Sequence, residues 1–309
     1  MNAAFEQHRE PRVRGRCRRN EALARHSTWR CGGPAAYYFE PVDRDDLVDF
    51  IAQMGADLEL LWLGLGSNLL VRDGGVQAAV IATSSHLNAM HWPAPDRLYA
   101  DCGVTCARLA REAARQDREG LEFLAGIPGT LGGALRMNAG ALGSEMWSFV
   151  HSVETIDASG HIRSHPAAEF EPRYRGVEGP AGWFLGATLA LPDHAGGRGH
   201  QRIREVLAQR SATQPTGQAS CGSVFKNPPG DFAGRLIEQC GLKGYRVGGC
   251  QVSTMHANFI VNDDAASAAD IESLIGHIRA VVAATTGIEL ETEVQIVGQH
   301  APHAPGGAA

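Results

Sequence analysis

The sequence predicts an α+β fold in which one mixed unit feeds another. Three observations carry that expectation. Short apolar runs such as Leu60–Leu63 are bounded by glycine, as buried strands are. Longer segments space their apolar residues at helical intervals behind capping residues. Near the C-terminus Leu290, Thr292, Val294 and Ile296 alternate with Glu289, Glu291, Glu293 and Gln295, the period of a half-buried strand.

Taken in order, residues 1–25 hold seven arginines and three glutamates, a net +4, and offer little to bury. They read as a disordered basic extension. A first block spans 26–83. It opens with a helix over Asp43–Met54, Asp43 capping it ahead of Leu47, Val48, Phe50 and Ile51. Leu60–Leu63 and Ala78–Ala82 read as strands. A second block spans 84–199, with a strand at Tyr99–Val104, a helix at Thr105–Gln116 and a strand at Trp183–Leu191. Val150–Asp157 and His161–Ser164 flank Ala158-Ser159-Gly160 as a hairpin. Asp193–His200, rich in glycine, reads as a boundary loop.

A third block spans 200–298. It begins with a helix around Ile203, Val206 and Leu207, then a helix over Phe232–Cys240 stopped by Gly241. A third helix, Ala265–Thr286, presents Ile271, Leu274, Ile275, Ile278, Val281 and Val282 on one face. The alternating strand follows, and 299–309 reads as a disordered tail.

Composition narrows the function. At 309 residues the chain has room for two or three domains. With 44% hydrophobic and 20% charged residues, disorder over most of its length is excluded. No apolar stretch reaches the roughly 18 residues of a membrane span. The net charge is −6, so the chain beyond the +4 leader carries −10, which argues against a nucleic-acid surface. Seven scattered cysteines and no export signal suit reduced thiols in a cytoplasm. Cys102 and Cys106 lack a second pair or a nearby histidine, so no metal site is expected.

Glycine is the outlier, at 37 of 309 residues. Gly64-Leu65-Gly66-Ser67-Asn68-Leu69 follows the Leu60–Leu63 strand, and such a loop exposes successive backbone N–H groups that suit a phosphate. It fails the dinucleotide fingerprint of the Rossmann fold, because the third glycine would fall at Leu69. The second cluster, Gly126-Ile127-Pro128-Gly129-Thr130 through Gly132, Gly133, Asn138 and Gly140, is too glycine-rich for a packed helix. Two such clusters, sixty residues apart, suit a ligand with two phosphates and a large planar ring.

Five strings stand in this order: GLGSNLLVRD (64–73), GIPGTLGGALRMNAGALG (126–143), CGSVFKNPPGD (221–231), HANFIVN (256–262) and ETEVQIVG (291–298). Together they resemble the UDP-N-acetylenolpyruvoylglucosamine reductase (MurB) family from about Arg25 to Gly298. The resemblance implies a two-part FAD-binding region of the vanillyl-alcohol-oxidase (PCMH) type plus a C-terminal substrate domain. The length resembles the shorter subtype, without an extra substrate loop. The implied reaction reduces an enolpyruvyl ether on UDP-N-acetylglucosamine to a lactyl ether, with FAD as cofactor and NADPH as co-substrate, in peptidoglycan precursor synthesis. NADPH over NADH rests on the resemblance alone.

That chemistry needs a cation where charge gathers on the substrate carboxylate, and an acid to protonate the neighbouring carbon. By resemblance Arg175, Ser223 and Glu293 hold the three catalytic positions. An arginine stays charged and binds two oxygens at once. A serine hydroxyl is a weak acid, able to donate only to a carbon as basic as an enolate's. Val177 stands where the family often has serine, which bears on a hydrogen bond there and not on Arg175. Tyr174, Lys226, Asn227, Gln251 and His256 are the substrate-binding candidates, and Gly64–Leu69, Gly126–Thr130, Gly133, Asn138 and Gly140 the cofactor-binding ones. Cys221 reads as a neutral filler.

Apart from the resemblance, Arg175 reads as a surface arginine, Ser223 as a turn residue and Glu293 as part of a solvated face. Two other functions stay open at this point: another FAD-dependent alcohol or sugar oxidoreductase of the same fold, and a non-catalytic nucleotide-sugar sensor. The expected partner is a small-molecule substrate, with no nucleic acid and no membrane, and the expected assembly is a cytoplasmic monomer.

Overall fold

The structure, a computed structural model, describes residues 10–55, 57–193 and 197–302. Its described contacts group the chain into two units that interleave in sequence. The first takes the chain up to Arg19, then Tyr37–Leu65 and Ala78–Ala212. The second takes Asn20–Ala36, Gly66–Gln77 and the chain from Thr213 onward. The helix Gly199–Thr213, read from sequence as the head of the third block, falls with the first unit up to Ala212.

In the first unit, helix α1 (Arg44–Met54) starts where Asp43 accepts a hydrogen bond from the Asp46 N–H. Its Leu47, Phe50 and Ile51 are buried, as the helical spacing predicts. Helix α2 (Cys106–Arg115) is capped by Thr105, which accepts from the Arg108 N–H. A five-stranded antiparallel sheet runs in the order Ile162–Pro166, Val150–Ile156, Trp183–Ala190, Arg97–Asp101, Met90–Ala94. It carries the predicted hairpin. Its core joins Leu98, Leu109, Leu124, Leu131, Trp147 and Leu189. Helix α3 is Leu131–Arg136 and α4 is Gly199–Thr213.

A second sheet orders Arg16–Ala22, Pro34–Glu40, Val76–Ala82 and Glu59–Leu63, the last two parallel. Its first strand corrects the expectation that residues 1–25 are disordered. The arginines find partners: Arg18 lies 5.2 Å from the Tyr38 ring centre and pairs with Glu40, and Arg19 lies 5.0 Å from the Tyr37 ring centre. Arginine stems covering tyrosine faces bury apolar surface that composition counting treats as absent. Residues 1–9 of that extension lie outside the described residues.

The second unit packs α5 (Ala233–Gln239) and α6 (Ala268–Thr286) with a small sheet ordered Ala219–Ser220, Ile260–Asn262, Cys250–Val252, Arg246–Val247. Helix α6 begins at a capping box of Ser267 with Asp270 and ends at Gly287, φ +74°. The predicted strand over 290–296 is shorter. It becomes a single bridge at Thr292 and a three-residue strand, Gln295–Val297, parallel to Leu69–Val71. Two different partner segments divide it. The tail is tied at its start, because the Gln299 N–H donates to the Gly75 carbonyl and its own carbonyl accepts from the Gly74 N–H, both at 2.9 Å. Residues 303–309 lie outside the described residues, as do 194–196 of the boundary loop.

Candidate active site

In the first unit the two glycine segments meet. A Cβ on Gly64 would lie 2.6 Å from Thr130 Oγ1, so that position admits no side chain. The second segment lies along residues 102–106: the Cys106 N–H donates to the Gly129 carbonyl, Leu131 to Val104 and Gly132 to Cys102. The glycine count predicts no helix here, yet Leu131–Arg136 is one turn and a half of α-helix. Gly132 is there for approach, since its Cβ would meet the Cys102 Cβ at 3.1 Å. Gly126 likewise faces Val206 Cγ1 at 3.0 Å. At Gly133 a Cβ would meet nothing within 4 Å. Bare main chain, open at Gly133 and closed to side chains at Gly64, fits a dinucleotide whose phosphates and ring need close backbone approach. Ile127 and Pro128 link these positions.

Arg175 sits at a two-residue turn between the paired strands Glu171–Arg173 and Gly176–Glu178, with φ +60°. Its guanidinium lies 4.9 Å from the ring centre of Tyr174, itself 53% exposed. Asn138 Nδ2 donates to the Arg173 carbonyl at 3.2 Å, and Arg136 donates to the Val177 carbonyl at 3.2 Å. Both residues of the glycine segment thus grip the strands that carry the turn. Val177, at the position where the resemblance implies that serine is common, is buried in the core of this unit and fills it by packing.

In the second unit, the segments that carry Ser223 and Glu293 pair through their main chains. The Glu293 N–H donates to the Val224 carbonyl at 2.8 Å and the Lys226 N–H to the Glu291 carbonyl at 2.9 Å, around a bridge of Phe225 with Thr292. Glu293 therefore lies across from the residue that follows Ser223. Both are half-buried. Gly222, φ +47°, turns the chain immediately before Ser223. The far edge of this strip is held by Asn258, a buried residue that sequence reasoning did not single out. Its Oδ1 accepts from the Phe225 N–H at 2.9 Å and its Nδ2 donates to the Phe225 carbonyl at 2.8 Å. Its backbone carbonyl accepts from the Val224 N–H at 2.9 Å. The signal lay in the string HANFIVN, where an asparagine stands inside an apolar run.

The rest of the first glycine loop serves the same strip. Gly66 has φ +61°, and a Cβ there would come within 2.1 Å of the His26 carbonyl oxygen. Asn68 Nδ2 donates to the Glu293 carbonyl at 3.2 Å, while the Gln295 N–H donates to the Asn68 carbonyl at 3.1 Å. Leu69 begins the strand paired with Gln295–Val297, and Ser67 links it to Gly66.

The substrate-binding candidates of this unit have protein partners. Lys226 pairs with Glu291 at 3.0 Å, Asn227 Oδ1 accepts from the Ala233 N–H at the start of α5, and Gln251 donates to Asp263 at 2.7 Å. His256 Nδ1 accepts from the Asn258 N–H, and burial holds its pKa below the usual histidine range. The buried Cys221 thiol is pushed up to about 11 by burial, so it stays protonated near neutrality. Among the described residues no cluster of His, Cys, Asp and Glu could hold a metal ion, and no helix is long and apolar enough to cross a membrane.

Comparison with known proteins gives these elements a context. Residues 35–165 match the family model of an FAD binding domain. Residues 214–297 match that of the UDP-N-acetylenolpyruvoylglucosamine reductase C-terminal domain. A protein named UDP-N-acetylenolpyruvoylglucosamine reductase from Methylococcus capsulatus is 54% identical over 93% of this chain and 94% of its own length. One of the same name from Alkalilimnicola ehrlichii is 50% identical over 92% and 96%. The crystal structure of the Thermus caldophilus enzyme superposes with a TM-score of 0.76 at 33% identity, covering 92% of this chain and 99% of that one. The fold is therefore an FAD-binding region of the expected type joined to a C-terminal α+β domain, and the cofactor is FAD. The chain belongs to the UDP-N-acetylenolpyruvoylglucosamine reductase family of flavin oxidoreductases.

Proposed function

We propose that the protein reduces UDP-N-acetylenolpyruvoylglucosamine to UDP-N-acetylmuramate with electrons from NADPH, and that Arg175, Ser223 and Glu293 carry the chemistry. The observation that carries this reading is the pairing that sets Glu293 across from the residue after Ser223. FAD, when bound, supplies the hydride, which it receives from NADPH and which ends on the terminal carbon of the enolpyruvyl group. Addition there drives an electron pair toward the substrate carboxylate. Arg175 meets that charge with two parallel N–H donors, a fixed electrostatic contribution worth a few kcal/mol. Ser223 gives its hydroxyl proton to the carbon bearing the ether oxygen, and solvent restores it. Glu293 hydrogen-bonds the substrate carboxylate or its aci form.

The substrate is held by Tyr174, Lys226, Asn227, Gln251 and His256. Lys226 offers the nucleotide phosphates a cation that exchanges Glu291 for them, at little cost for so exposed an ion pair. Asn227 and Gln251 must release Ala233 and Asp263, or contact the substrate through their remaining groups. The glycine segments at 64–69 and 126–140 hold FAD through their main chain. The reading is completed by a cytoplasmic monomer that acts on this small molecule and binds no nucleic acid. Anaerobic mixing tests it. NADPH should bleach the flavin, and the enolpyruvyl substrate should restore the colour within one turnover. Recovery only on admitting oxygen would instead assign the protein to another flavoenzyme activity.

A further inference from the structure

We infer that Asn138 is a positioning residue for Arg175, rather than the cofactor ligand its place in the glycine segment suggests. The inference rests on the catalytic assignment of Arg175 made above. Asn138 is 2% exposed and its side chain is spent on the protein: Oδ1 accepts from the Trp147 N–H and Nδ2 donates to the Arg173 carbonyl, both at 3.2 Å. The Arg173 carbonyl belongs to the peptide that enters the Tyr174–Arg175 turn. On the other limb Arg136, two residues before Asn138, donates to the Val177 carbonyl. At Gly140, two residues after Asn138, a Cβ would meet the Ser144 carbonyl at 3.0 Å and Arg175 Nη1 at 3.5 Å, so the guanidinium passes within contact range of this segment. Two alternate residues of one segment therefore hold the main chain on either side of the Arg175 turn, and a third lies near its guanidinium.

The frame has a physical task. A left-handed conformation is strained for arginine and free for glycine. Gly176 stands next to Arg175 and does not have a positive φ here. Sliding the turn by one residue would pass the left-handed conformation to Gly176, relieve the strain and swing the guanidinium away. The Asn138–Arg173 hydrogen bond opposes that slide by fixing the peptide that starts the turn. The slide also predicts its own remedy. A Cβ on Gly176 would meet nothing within 4 Å, so Gly176→Ala fits the observed turn and penalises only the slid one.

The test uses the FAD-loaded full chain and follows both half-reactions by anaerobic stopped-flow. Asn138→Ala should retain wild-type FAD content and wild-type reduction by NADPH. Its reoxidation by the enolpyruvyl substrate should slow roughly ten- to a hundredfold, the scale of a misplaced catalytic group. Adding Gly176→Ala should recover most of that loss, and in an Arg175→Ala background Asn138→Ala should cost nothing further. Loss of FAD, an Asn138→Ala effect that persists undiminished without Arg175, or no recovery with Gly176→Ala would each overturn the inference. Should Arg175→Ala alone turn over normally, the catalytic assignment fails instead, and the two failures are distinguishable.

Discussion

Around Ser223 the left-handed backbone falls on a glycine, whereas around Arg175 it falls on the arginine itself. Gly222 takes φ +47° with open space where a Cβ would be, and the strip after it is hydrogen-bonded along both edges, by Glu291–Glu293 and by Asn258. Arg175 takes φ +60° in a turn whose grip comes from two side chains of a neighbouring segment. The first arrangement is a main-chain ladder extended by an amide that imitates a strand. The second stores strain at the residue proposed to meet the substrate's charge and contains it from outside, a pattern found at functional sites. The difference implies that damage to the Ser223 strip shows first as lost stability. Damage to the Arg175 turn shows first as lost rate.

Arg175→Lys gives the largest expected effect and can break that distinction. Loss of the two-pronged guanidinium should lower turnover by about a hundredfold or more. Reduction by NADPH and the urea midpoint should stay near wild type. A variant with wild-type turnover would remove Arg175 from the mechanism. Asn258→Ala comes next. It leaves a buried N–H and a buried carbonyl of Phe225 without partners, which should cost about 2–4 kcal/mol in urea unfolding. A loss below about 0.5 kcal/mol would mean that the amide clamp adds nothing beyond an ordinary surface contact.

Gly222→Ala sharpens the comparison at a single φ angle. With no atom within 4 Å of the new Cβ, the cost should be only conformational, about 1–2 kcal/mol. A much larger loss would reveal a steric role. The smallest effect concerns pH. Burial lowers the pKa of His256, so between its folded value and its ordinary value near 6.5 the unfolded chain binds more protons. Stability that is complete above about pH 6.5 should therefore decline as the pH falls through the folded value. His256→Gln should flatten that part of a urea-midpoint profile, and an unchanged slope would assign the acid sensitivity to other groups.

Much of the fold is legible because its signals are local. The Asp43 cap, the Thr105 helix, the Gly160 turn of the hairpin and the Gly241 stop all depend on residues within a turn of one another. What escaped was tertiary. The strand Arg16–Ala22 exists because Tyr37, Tyr38 and Glu40 receive its arginines, a partnership no window along the chain contains. The helix Leu131–Arg136 tolerates Gly132 because a side chain there would press on Cys102. At the site, the family was legible through its motifs. The framework was not, since Asn68, Asn138 and Asn258 serve backbones distant in sequence, and a side-chain amide leaves no periodic trace.

We propose that a flavin-derived hydride ends on the enolpyruvyl group and that the Ser223 hydroxyl completes the reduction. Anaerobic stopped-flow on Ser223→Ala reads it directly. Bleaching by NADPH should proceed at the wild-type rate, while recovery of colour on adding the enolpyruvyl substrate should slow by about a hundredfold or more. Recovery at the wild-type rate, or equal loss of both phases, would remove Ser223 from the role of proton donor.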